Sequence, residues 1–212
     1  MKLYYFPGAS SFAIHMLLRE TQTTFLLEKV DIRTHRTQDG SDYFDINPKG
    51  QVPLLELDDG QSLSEQAVIA QYVCDRAKRT DLMPEAGSMA RYRVMEWQNH
   101  IATELHKGIS PLFWLEEESA KARIISRLYV RLAYIDSRLE RTAFLTGDIF
   151  TATDAYLFAA TSWAGFFALE MQQYPHLTGY LARIGRRPSV QEALAAEGPG
   201  LIRIYDYPTR LP

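Results

Sequence analysis

The sequence predicts a chain in two parts, a small mixed α/β unit followed by an all-helical half. Three observations carry this. Residues 1–76 alternate short strand-like runs with helical stretches and turn signals. Residues 79–87 then interrupt the pattern with charge, Pro84 and Gly87. From residue 88 onward apolar residues recur at steps of three and four, the spacing of one helix face. The expected units are therefore residues 1–78, a linker at 79–87, an all-helical unit at 88–197 and an extended tail at 198–212.

Lys2 to His15 opens as a short strand, Leu3 to Phe6, then a Pro7-Gly8 turn and a helix of about Ser11 to Glu20. Phe25 to Ile32 reads as a second strand, so the two strands flank a helix as a parallel βαβ unit. Residues 33–46 are polar and irregular, with one helical turn near Asp42 to Ile46, and Asn47-Pro-Lys-Gly50 is a turn signal. Val52 to Leu57 and Gln61 to Leu63 form a hairpin around Asp59-Gly60, and a helix follows from about Glu65 to Arg76. The order is βαβ, connector, ββα. In the second half Val94, Trp97, Ile101 and Leu105 mark one face of a long helix, and Arg123 to Leu139 repeats the habit. Thr151-Ala-Thr-Asp154 is a capping box with Asp where Glu usually stands. Shorter helices run from His176 to Ile184 and onward from Pro188.

At 212 residues the chain suffices for one large domain or two small ones. Hydrophobic residues at 46% and charged residues at 23% are ordinary globular values. A net charge of −3 gives no basic field, so neither nucleic acid nor a membrane surface is an expected partner. The opening residues lack the apolar core of a signal peptide, and Tyr156 to Leu169 is too short to span a bilayer, so a cytoplasmic location is expected. The single cysteine, Cys74, excludes an internal disulfide and reads as a small core residue.

Chemistry concentrates at a few places. The helix mouth at Ser10 and Ser11 favours an anion such as a thiolate, which a serine hydroxyl could also bind; either serine could instead cap the helix. Val52-Pro53 is either a plain edge-strand proline or, if cis, a place where the Val52 backbone is free to pair with a peptide-like ligand. Glu65-Gln66 opens a helix whose N–H groups could hold a carboxylate while Glu65 takes an amine, though Glu in a first turn is also common for its dipole alone. Asn99 and His106 are seven apart and share a helix face, whereas Glu104 lies about 200° of helical rotation from His106 and could serve only a partner's pocket. His106 alone is weak as a catalytic signal. Cys/His metal spacing, Gly-rich phosphate loops and Gly-x-Ser-x-Gly elbows are absent, so no metal is expected.

Taken together, Met1-Lys-Leu-Tyr-Tyr with Pro-Gly-Ala, Asn47-Pro-Lys-Gly-Gln-Val-Pro53, Ile101-Ala-Thr-Glu-Leu-His-Lys-Gly108 and Asp154-Ala-Tyr-Leu-Phe158 resemble the cytosolic glutathione transferases, above all the bacterial beta class. The resemblance covers about residues 1–197. It implies a thioredoxin-like N-terminal domain, a C-terminal helical bundle domain, glutathione as co-substrate, a small-molecule electrophile and a homodimer. Val52 before a cis-Pro53, with Gln51 beside it, would meet the cysteinyl backbone of glutathione. Glu65 and Gln66 would hold the γ-glutamyl end, His35 would stand near the glycyl carboxylate, and Ser11 would help at the helix mouth. His106 and Lys107 would line the cleft beside Ser10, with Asn99 and Glu104 at the subunit boundary. The beta class usually has cysteine where Ser10 stands and a small residue where Gln66 stands. A hydroxyl forms no mixed disulfide, so conjugation rather than thiol–disulfide exchange is the expected reaction. A carrier that binds glutathione or a hydrophobic ligand without turnover is the alternative. A glutathione-dependent isomerase ranks third, since Ser10-Ser-Phe-Ala lacks the Ser-Ser-Cys stretch such enzymes use.

Overall fold

The computed structural model describes residues 1–198. The expected tail at 198–212 lies, apart from Gly198, outside the described residues. The first part holds β1 (Lys2–Tyr5), α1 (Ser11–Glu20), β2 (Leu26–Asp31), β3 (Arg36–Thr37), α2 (Tyr43–Ile46), β4 (Leu54–Glu56), β5 (Ser62–Ser64) and α3 (Gln66–Arg76). The strands form one sheet in the order β3-β2-β1-β4-β5. β1 and β2 are parallel, as the intervening helix requires; β4 runs antiparallel to β1, and β5 to β4. The order and pairing are those of a thioredoxin-like unit. β3 was not expected. It is two residues long and polar, and the β-bridge pattern rather than any hydrophobic alternation defines it.

The two faces of β1 separate the interior. Leu3 and Tyr5 join the main core, while Tyr4 joins a second cluster with Val30, Tyr43 and Leu54 under α2. This is the period-2 alternation of a strand covered on both sides.

The helical part holds α4 (Met89–His100), a π-helical stretch (Ile101–His106), α5 (Lys107–Ile109), α6 (Glu118–Leu139), α7 (Ala152–Thr161), α8 (Pro175–Gly185) and α9 (Pro188–Glu197), with 3-10 turns at Ser110–Phe113, Ser162–Phe167 and Met171–Gln173. Every residue of α7 is buried. Its start carries the capping box: the Asp154 carboxylate accepts from Thr151 N–H at 2.8 Å, Leu145 N–H at 3.0 Å and the Tyr180 hydroxyl at 2.8 Å. The main core runs unbroken through both parts, with Phe12 of α1 against Phe158 of α7 at 6.4 Å between ring centres. The stretch expected as a linker contributes to it. Leu82 and Met83 are buried, and Leu82 C=O accepts from Ala152 N–H at 2.9 Å. Among the described residues no helix is long and apolar enough to cross a membrane.

Candidate active site

The turn between β1 and α1 is built from its own backbone. Ala9 N–H donates to Phe6 C=O at 3.0 Å, and Gly8 sits at φ 72°, a left-handed conformation that costs glycine nothing. Ser11 staples the turn: its hydroxyl donates to Phe6 C=O at 3.2 Å and accepts from Phe6 N–H at 3.3 Å. The donor and one acceptor position of that buried hydroxyl are thus engaged inside the turn. Ser10 behaves differently. It occupies the cap position, yet its hydroxyl makes no capping bond and lies 3.5 Å from Val52 C=O.

The Val52-Pro53 bond is cis. The preceding residues are held from behind, since Gln51 C=O accepts from the Asn47 amide at 2.7 Å and from the Tyr43 hydroxyl at 3.0 Å. Gln51's own side chain is exposed. Gly50 must be glycine, because a Cβ there would come within 2.6 Å of Phe44 and 3.0 Å of His35 Nδ1. His35 lies against Phe44 at 4.3 Å, with its Nδ1 buried and unpartnered.

At the head of α3, Glu65 has φ 71°, a left-handed value that costs a non-glycine residue energy and that accompanies functional sites. Its carboxylate pairs with Lys49 Nζ at 2.8 Å, and Lys49 also donates to the Ser64 hydroxyl at 2.9 Å. Gln66 follows, only 6% exposed, and neither its amide oxygen nor its nitrogen has a partner. A buried unpaired amide costs about 1–3 kcal/mol, so this side chain is suited to a polar ligand.

His106 ends the π-helical stretch. Its Nδ1 is 2.8 Å from the Tyr156 hydroxyl, and its ring stands edge-on to Trp163 at 4.8 Å. Burial, helped by the Lys107 charge, pushes the imidazole pKa down to about 4. Burial pushes the Tyr156 phenol well up, with the Glu65 charge adding to the effect. Lys107 itself is exposed.

Glu104 pairs with Arg131 on α6 at 2.8 Å. The face expected for Asn99 and His106 assumed unbroken 3.6-residue turns. The intervening π-turn shifts that register: Asn99 is exposed while His106 packs on Tyr156. Sequence reading had no signal for the π-turn.

It also missed what joins the two parts here. Trp163 Nε1 donates to Gly8 C=O at 2.8 Å, and Gly8 N–H donates to Glu197 Oε2 at 3.1 Å. Beyond Trp163 lies an aromatic wall. Phe113 touches Trp163, Trp114, Phe166 and Phe167 at 4.7 to 6.0 Å, and Trp114 is 70% exposed. Among the described residues no group of three or more His, Cys, Asp or Glu is gathered for a metal ion.

The turn bearing Ser10, the cis Val52-Pro53 bond and the polar start of α3 lie on a thioredoxin-like unit and the aromatic wall on a helical one, so the chain is a thioredoxin-like domain joined to an all-helical domain. Residues 1–75 match the model of the glutathione S-transferase N-terminal domain, and residues 100–188 that of its C-terminal domain. The chain is 43% identical over 199 residues to glutathione S-transferase GstA of Escherichia coli O157:H7, covering 93% of this chain and 99% of that protein. The ternary complex of BphK, a bacterial GST, superposes with a TM-score of 0.91 at 41% identity, over 93% of this chain and 100% of that one. A sphingomonad glutathione S-transferase solved with glutathione superposes at 0.90 with 37% identity, over 93% and 99%. A beta class enzyme of Sphingomonas chungbukensis does so at 0.90 with 37% identity, over 95% and 100%. The chain belongs to the glutathione S-transferase family.

Proposed function

We propose that the protein conjugates the glutathione thiolate to a hydrophobic electrophile, with Ser10 at the position of the thiolate. The observation that carries this is Ser10: its hydroxyl is not used as a cap and stands within 3.5 Å of the Val52 carbonyl at the mouth of α1. The cysteinyl backbone of glutathione pairs with Val52. Its γ-glutamyl end meets the α3 N-terminus, where Gln66 supplies unpartnered amide atoms and Glu65 takes the amine. His35 stands toward the glycyl end.

The chemistry needs only a lowered thiol pKa. The thiol proton leaves to solvent, the sulfur attacks the electrophilic carbon, and the leaving group departs with its electron pair. One pKa unit corresponds to about 1.4 kcal/mol, within reach of a helix N-terminus plus one hydroxyl donor. His106 stays neutral at pH 7 because its pKa sits near 4. His106 Nδ1 shares a hydrogen bond with the Tyr156 hydroxyl at 2.8 Å, and in the tautomer with its proton on Nε2 the neutral imidazole is a donor that orients or polarises. The carrier alternative is not favoured, since the relatives are named transferases.

The active form is a homodimer. Met89, Tyr92 and Met95 are exposed apolar residues along α4 that a second copy would cover. Light scattering on the eluting protein tests this.

The site itself is tested by an ultraviolet difference spectrum of bound glutathione against pH. A thiolate band persisting well below the pH at which free glutathione ionises is the expected result, and its loss in Ser10→Ala assigns it to the hydroxyl. Binding without the band would return the carrier reading.

A further inference from the structure

The turn that carries Ser10 is held from the helical domain at both faces of a single residue. Gly8 C=O accepts from Trp163 Nε1 at 2.8 Å, and Gly8 N–H donates to Glu197 Oε2 at 3.1 Å. The Glu197 carboxylate is buried, its side chain 2% exposed. Its other oxygen lies 2.8 Å from His15 Nδ1, and the His15 ring is fully buried. Arg19 Nε donates to His15 Nε2 at 3.4 Å. Because Nε2 accepts, Nδ1 carries the proton and donates to Glu197. The chain of donors is directional: Arg19 to His15, His15 to Glu197, with Gly8 N–H closing it from the other side.

Nothing local explains Glu197. It is the last residue of α9, where a carboxylate opposes the helix dipole. Burial of a charge also costs several kcal/mol unless partners compensate. Its partners here are all distant in sequence and lie on the helix and turn of the thiolate site. Ser10 begins only two residues after Gly8, so a shift of the Gly8 peptide carries the hydroxyl and the α1 mouth with it. The Trp163 side of the clamp meets His106 at 4.8 Å and Phe113 at 5.9 Å, so the same turn is tied to the aromatic wall.

We infer that Glu197 is a positioning residue: through Gly8 it sets the thiolate mouth at Ser10, with Trp163 as the opposing anchor. This inference rests on the reading of Ser10 as the thiolate site. It assigns the end of α9 a role in activating the thiol, although Glu197 touches no reacting atom. The carboxylate fixes how deeply thiol ionisation is favoured, and not how tightly the peptide part of glutathione binds, since Val52 and the α3 start are held by other bonds.

The test compares wild type, Ser10→Ala, Glu197→Ala, Glu197→Gln and Trp163→Phe, each titrated with glutathione bound and assayed with an aryl halide. Melting temperatures show that each variant is folded. In Glu197→Ala the bound-thiol pKa is expected to rise by about one unit and kcat below that pKa to fall about tenfold, with the KM for glutathione within about twofold of wild type. Glu197→Gln keeps an acceptor for Gly8 N–H and is expected to recover most of the thiolate shift. Trp163→Phe keeps the ring but loses the donor, and moves the pKa in the same direction. A Glu197→Ala protein that is folded and ionises glutathione as wild type does overturns the inference. So does a variant that changes only KM. If wild type itself shows no low-pH thiolate band, the reading of Ser10 fails instead, and the two failures are distinct.

Discussion

The two walls of the cleft are made differently. The wall proposed for glutathione is backbone and buried amide: the Gly8 turn, the Val52 carbonyl, and Gln66 with two unpartnered atoms. The wall proposed for the electrophile is side chain: Phe113, Trp114, Phe166 and Phe167 around Trp163, with Trp114 largely open to solvent. A backbone wall is fixed by turns and caps and offers one pattern of donors and acceptors. A wall of rings offers area and little direction. On the proposed function, the thiol would be recognised by a rigid polar pattern and the second substrate by apolar contact.

The largest expected effect breaks the polar side where it meets the rings. Removing both Ser10 and His106, as Ser10→Ala with His106→Ala, removes two hydrogen bonds to a developing or full charge, each about 1.5–3 kcal/mol. Aryl halide turnover should fall at least about 100-fold at neutral pH. Unchanged turnover would mean both roles are misassigned.

Next comes the pH response of His106. Its folded pKa of about 4 lies below the ordinary 6.5, so the unfolded chain binds the proton first. Stability contributed by the neutral ring is present above 6.5 and declines as pH falls toward 4, by up to about 3 kcal/mol. Denaturant titrations at pH 7 and pH 4.5 should show a smaller pH loss in His106→Gln than in wild type. Equal losses would sink the assignment.

Gln66→Leu sharpens the contrast by making one polar contact apolar. The free protein should melt at the same temperature or higher, because a buried unpaired amide is gone, while glutathione binds about tenfold more weakly. A higher melting point with unchanged affinity, read by calorimetry, would make Gln66 merely a core residue.

Trp114→Ala is the mildest change. The residue is exposed, so folding should be unaffected. KM for an aromatic electrophile should rise severalfold, with KM for glutathione unaltered. A change in both would mean that the rings and the polar wall are not separable.

Much of the architecture was readable because it is local. Helix α1 has the expected ends, the Thr151–Asp154 box caps α7, and the Asp59-Gly60 turn joins β4 to β5. Each is written within a few residues. At the candidate site the motifs mark Ser10, Val52-Pro53 and Glu65, and the Val52-Pro53 bond is cis. Three features were not readable. The clamp on Gly8 joins residues 155 and 189 positions away, and no periodicity encodes such a pairing. The π-turn at Ile101–His106 has an ordinary helical sequence, so its register shift was invisible. Ser11 looked like part of the mouth, and only packing shows its hydroxyl turned inward to Phe6.

Cys74 is fully buried in α3, and desolvation pushes its thiol up to about 12. Among the described residues the folded protein therefore presents no competing thiol. In any assay that counts reactive thiols by a colorimetric disulfide reagent, the background from the protein is nil, and the signal belongs to glutathione alone. The same feature frees storage buffers from added reductant, because oxidised glutathione has no accessible sulfur on the chain with which to form a mixed disulfide.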